Sequence, residues 1–158
     1  MNPFRVVPIP SAVADEIRAT RRDGYGNTDI QPTRADAPSG YPCRLCLTEA
    51  MEGQEVLLFS YSPFDRPAPY RNIGPIFVHA GSCTPYDRQT QVPEMMRGRL
   101  LALRAYDRND RMVECDVVEG ADLETLVGRF FANPDADYIH AHNARAGCFV
   151  ARIERAAS

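Results

Sequence analysis

Residues 100–154 read LLALRAYDRNDRMVECDVVEGADLETLVGRFFANPDADYIHAHNARAGCFVARIE, and their order decides the fold. Residues 100–106 and 111–118 are strand-like runs on either side of Asp107-Arg108-Asn109-Asp110, which predicts a hairpin. A helix is predicted over 122–132. Asp122 can cap it, Leu123, Leu126, Val127, Phe130 and Phe131 recur at i, i+3, i+4, i+7 and i+8, and Asn133-Pro134 stops it. Residues 138–142 and 148–154 then form a second hairpin around Gly147. Hairpin, helix, hairpin is the order of an α+β fold with a largely antiparallel, mixed sheet.

The part before it is punctuated differently. Twelve of the 13 prolines fall in residues 1–93, so long proline-rich loops are expected in the N-terminal half. Residues 4–9 predict a short strand. Ser11 is placed to cap a helix over 12–22, with Asp15 and Glu16 early and Arg18, Arg21 and Arg22 late, as the helix dipole favours. Residues 23–40 are turn formers without periodicity, hence a long loop. Residues 43–47, 55–61 and 74–80 predict strands, and Pro93 opens a helical turn through Met96. The whole of 1–158 is expected to form one globular domain with six to eight strands and two main helices, because 94–158 alone would make a thin core.

Composition bounds the chemistry. The apolar fraction is 44%, a quarter of residues are charged and the net charge is −3, the ordinary globular range. All 18 basic residues are arginine. Without lysine there can be no P-loop, kinase ATP-pairing lysine, pyridoxal Schiff base or Ser-x-x-Lys acylation pair. No long apolar stretch predicts a signal peptide or a membrane span, so a cytoplasmic protein without a membrane partner is expected. Five cysteines, an odd number, argue against a disulfide framework in that compartment. The arginines are scattered, so nucleic acid is not an expected partner. His-Glu-x-x-His, Gly-x-Ser-x-Gly and Gly-x-Gly-x-x-Gly are absent, and none of the six serines adjoins a recognisable base. Oligomeric state is not legible.

The blocks YPCRLCL (41–47), GPIFVH (74–79), RAYD (104–107), YIH (138–140) and GCF (147–149) resemble a bacterial family known as domain of unknown function 1203. The likeness runs nearly end to end and implies a family without a mechanism. Family members often carry Arg where this chain has His142, a departure that speaks against a family-wide metal triad of His79, His140 and His142. That triad would otherwise form a partly open site, since His140-x-His142 on a strand points both rings to one face.

Three further constellations could carry chemistry. Cys43-x-x-Cys46 with His79-x-x-x-Cys83 offers four tetrahedral zinc ligands, and zinc is the cofactor such a set would take. Leu47 stands where a zinc knuckle usually has glycine, and both pairs read as strand-like. The expectation is therefore no bound metal, with Cys43, Cys46 and Cys83 as reduced, mostly buried thiols. The same Cys43-x-x-Cys46 could be a redox pair, but no strand precedes it. Arg104 and Tyr106 share a face, as do Tyr138 and His140. If these faces meet, they and Arg44 form a cationic pocket for a small anionic ligand. Cys148 and His140 could also pair across the last hairpin. The favoured function is a small-ligand domain, enzymatic or not, with Arg44, Arg104, Tyr106 and His140 receiving the anionic group. The alternative is a non-catalytic interaction or structural module stabilised by the Cys/His site.

Overall fold

The computed structural model describes residues 3–88 and 90–157. Among these residues there are eight strands: β1 (Phe4–Val7), β2 (Thr33–Arg34), β3 (Glu55–Tyr61), β4 (Gly74–His79), β5 (Leu100–Tyr106), β6 (Met112–Glu119), β7 (Tyr138–Asn143) and β8 (Phe149–Arg155). The helices are α1 (Ser11–Thr20), α2 (Glu94–Arg97) and α3 (Leu123–Phe131). The fold is α+β, and every strand pair is antiparallel. The strands fall into two sheets rather than the one expected, ordered β1-β8-β7-β5-β6 and β2-β3-β4. The physical reason lies at the outer edge of β4, where the turn at 42–46 takes the place of a further strand. Arg44 N–H donates to the Phe77 carbonyl, and Cys43 makes a parallel bridge to Phe77.

The predicted hairpins and helices stand, with their ends shifted. α1 starts at Ser11, so Pro10 and not Ser11 is the cap residue. No side chain caps it, and the Val13 N–H reaches the Pro10 carbonyl instead. A 3-10 turn at Gly120–Asp122 leads into α3, and the Asp122 carboxylate makes no cap bond. Gly120 is obligatory there, because a Cβ would lie 1.8 Å from the Met96 carbonyl oxygen.

Leu123, Leu126, Val127, Phe130 and Phe131 are all buried, packing with Leu101, Leu103, Ile139 and Ile153 on one face of the larger sheet. A second cluster joins Ala14 and Ile17 of α1 to Leu57, Phe59, Ile76 and Val78 of the smaller sheet, and reaches the larger sheet through Phe149. No helix is long and apolar enough to cross a membrane among the described residues. Phe130→Ala is expected to cost about 3–5 kcal/mol in chemical denaturation, the usual range for a buried aromatic. Arg129→Ala, which removes the exposed ion pair to Asp116, should leave the midpoint nearly unchanged.

Candidate metal centre and the polar strand face

The 43–47 segment is a turn and not the strand expected from its composition, because its polar backbone groups bond within the turn. The Cys43 N–H donates to the Thr48 carbonyl (2.9 Å), and the Cys43 carbonyl accepts from the Leu47 N–H (3.0 Å). Leu47 has φ 55°, the left-handed conformation that a knuckle glycine would supply. That costs a non-glycine residue about 1–2 kcal/mol. The Leu47 side chain is 1% exposed in the main core, and burying a leucine returns about 1.5–3 kcal/mol. Burial wins, so the missing glycine is no obstacle to the turn. Cys83 lies in the irregular segment after β4, also outside a strand.

This turn, the end of β4 and that segment bring Cys43, Cys46, His79 and Cys83 together, with their ligand atoms all within 4.8 Å of one another. Cys43 Sγ is 3.8 Å from Cys83 Sγ, and Cys46 Sγ is 3.5 Å from His79 Nδ1. A tetrahedral zinc ion with Zn–S of about 2.3 Å and Zn–N of about 2.0 Å spaces its ligands at about 3.8 Å for two sulfurs and about 3.5 Å for sulfur and nitrogen. The two measured edges match, and the four residues named from the sequence as the zinc set fit that ion.

The surroundings complete the arrangement. Gln54 Oε1 accepts the Met51 N–H (2.8 Å) and lies 3.2 Å from His79 Nε2. A backbone N–H is always a donor, so this atom is an acceptor and His79 Nε2 must carry the proton. Nδ1 is then left with its lone pair facing the sulfurs, the second-shell pattern of metal-binding histidines. Arg18 Nε donates to the His79 carbonyl (3.0 Å) and its Nη2 to Cys83 Sγ (3.3 Å). Three thiolates with Zn²⁺ would carry a net charge of −1, which the Arg18 guanidinium would offset. Gln54 and Arg18 were not legible as site residues, since each arrives from another element with no motif of its own. Without metal, the Cys43 thiol is held down to about 7 by its hydrogen bond with Cys46, against burial, with help from backbone N–H groups including that of His79. Cys46 is pushed up to about 11 by that same bond and by burial.

The remaining candidates lie elsewhere. β5 and β7 pair Arg104 with His140 and Tyr106 with Tyr138, so the two faces meet in the sheet. Tyr106 and His140 are fully buried, with Phe64, Tyr138 and Phe149 rings 5.0–5.3 Å from the His140 ring. Neither His140 ring nitrogen has a hydrogen-bond partner among the described residues. His142 Nδ1 donates to the Gly147 carbonyl (2.9 Å), which leaves the lone pair of its buried Nε2 unpartnered. His79 is engaged at the cysteines, so the three-histidine site does not form, and the Cys148–His140 pair does not form either. Arg44 is 2% exposed, and its guanidinium donates to the carbonyls of Phe149 (2.7 Å) and Pro42 (2.6 Å).

Burial pushes His140 down to about 3 and His142 down to about 4. Below the ordinary histidine value of about 6.5, the unfolded chain takes up protons that the folded chain refuses until those lower values. Stability is therefore expected to be full above about pH 6.5 and to fall by about 1.4 kcal/mol per pH unit for each histidine as the solution is acidified. Urea midpoints at pH 7, 6 and 5 measure it. His140→Phe should halve the histidine contribution to that slope, and a flat profile would contradict the assignment.

No curated protein matches the chain, and no solved structure does. The profile of the family described as "Protein of unknown function (DUF1203)" matches residues 40–155, which span the Cys43–Cys46 turn, His79, Cys83 and both strand faces. The chain belongs to that family.

Proposed function

We propose that this chain is a metal-binding domain in which Cys43, Cys46, His79 and Cys83 hold one zinc ion. The supporting observation is the convergence of four ligand atoms, from three separate segments, within 4.8 Å of one another, with the Cys43–Cys83 and Cys46–His79 edges at the separations of a tetrahedral zinc site. Four protein ligands leave no position open for substrate, so the ion has a structural role, tying the 42–49 turn to β4 and to the segment that follows it. This favours the structural or interaction module over the enzyme and reverses the expectation of a metal-free fold. Three thiols that must stay reduced to hold the ion suit a reducing compartment, which supports the reading of a cytoplasmic protein.

Protein purified in reductant is expected to carry one equivalent of zinc by elemental analysis, and chelation should lower its melting temperature. Cys43→Ser should abolish binding. Gln54→Leu, which frees His79 to rotate, should weaken it about 10–100-fold. Metal-free protein whose melting does not respond to zinc or chelator would refute the proposal.

A second reading keeps the small anionic ligand at Arg104, Tyr106 and His140. What supports it is the set of buried ring nitrogens without partners, together with Arg104, which has no carboxylate partner among the described residues. Arg44 would contribute from behind, by fixing the backbone of Phe149, whose ring lies against His140. A thermal-shift series of carboxylates and phosphates tests this. Stabilisation that disappears in Arg104→Ala is the expected result, and no response to any anion would leave the face as packed interior.

A further inference from the structure

We propose that the cysteine centre is also a peroxide-reactive site, in which a hydroperoxide oxidises Cys83 and Cys43 resolves it as a Cys43–Cys83 disulfide, expelling the zinc. The proposal rests on the zinc reading above. It arises from the unequal settings of the three sulfurs. Cys43 is fully buried, whereas Cys46 and Cys83 are only partly buried and line a groove of about 1000 Å³. A small oxidant can therefore reach Cys46 or Cys83 but not Cys43.

Geometry selects between the two accessible sulfurs. Cys46 Sγ is held by Thr48 Oγ1 (3.1 Å) and His79 Nδ1 (3.5 Å) within a hydrogen-bonded turn. Cys83 sits in the irregular segment that follows β4, so its sulfur can move without breaking a strand ladder. The Arg18 guanidinium, 3.3 Å from Cys83 Sγ, stands ready to stabilise the oxygen anion that departs when this sulfur reacts. Cys43 Sγ waits 3.8 Å away, so closing to a disulfide of about 2.05 Å needs a shift of only about 1.8 Å.

The steps balance. Bound to zinc, both sulfurs are already thiolates. Cys83 Sγ attacks the hydroperoxide, the O–O bond breaks, and Cys83 becomes a sulfenic acid while the alkoxide or hydroxide takes a proton from water. Cys43 Sγ then displaces hydroxide from the Cys83 sulfur, which leaves as water after protonation. Two thiolates, one hydroperoxide and two protons give one disulfide, one alcohol (or water) and one water. Two of the four ligands are lost and zinc departs. A dithiol reductant reverses the disulfide.

The test uses the full chain with Cys115→Ser and Cys148→Ser, which removes the two cysteines outside the centre. The zinc-loaded protein is treated with hydrogen peroxide, while zinc release is followed with a chromogenic chelator and disulfides are mapped by non-reducing proteolysis. The expected result is a release rate linear in peroxide, one zinc freed per disulfide, and a peptide joining Cys43 to Cys83. Arg18→Gln, compared per equivalent of zinc that it binds, should react about tenfold more slowly. Zinc retained under excess peroxide, a disulfide in any other pair, or oxidation to sulfinic acid without a crosslink would each overturn the proposal while leaving the zinc reading intact. Reduced protein that never binds zinc would instead defeat the zinc reading, and the peptide map would then decide the thiol pair by itself.

Discussion

Arg44 is the constraint on which the rest of the arrangement depends. Its backbone N–H caps the edge of β4 at Phe77, and its carbonyl receives the Ile9 N–H from the segment leading into α1. Its guanidinium, almost fully buried, donates to Pro42 within its own turn and to Phe149 at the start of β8. Burial lowers its pKa to about 10, so it stays charged at neutral pH. A buried cation is costly unless its donors are engaged, and two carbonyl acceptors supply charge-assisted bonds roughly twice as strong as neutral ones. One residue, through its backbone and its side chain together, thus links the two sheets, α1's entry segment and the cysteine turn at a single point.

The candidate metal centre follows from that placement. Once Arg44 seats the turn against β4, Cys43 and Cys46 flank His79 at the strand's end, and the chain needs only four more residues to return with Cys83. The outer partners come from the same seam: Gln54 immediately precedes β3, which pairs with β4, and Arg18 projects from α1. Register therefore does what sequence spacing cannot. Val56 opposite His79 fixes how far Gln54 lies from the imidazole, and the proton position on His79 follows from the hydrogen bonds made there.

The polar face of the larger sheet presents the opposite problem. Arg104, His140 and Arg152 lie side by side across β5, β7 and β8, yet the central histidine is enclosed by aromatic rings with both nitrogens unpaired. Each buried polar group without a partner costs about 1–3 kcal/mol. The Tyr138 hydroxyl and Arg66 both bond to Asp110 nearby, so the rim of this face is well satisfied while its centre is not. The two ends of the fold therefore store their chemistry differently: one as converging ligands, the other as polar atoms held in an apolar enclosure.

The sequence by itself determined the α+β class, the two hairpins around α3 and the buried stripe Leu123–Phe131, because these depend on short-range periodicity and turn residues that a linear reading detects. It also named the four residues that could hold a metal, since two close-spaced pairs are visible without a fold. It misjudged their turn, because a left-handed Leu47 is stabilised only by the core into which its side chain packs. Only the tertiary structure decided that residues over thirty positions apart meet, that the strands divide into two sheets, that His79 joins the cysteines and not His140, and that the Arg44 guanidinium bonds the carbonyls of Pro42 and Phe149. The physical reason is common to all four. Each outcome depends on how one packed layer sits against another and on which donors remain unengaged once it does, and neither quantity is written in the spacing of residues along one segment.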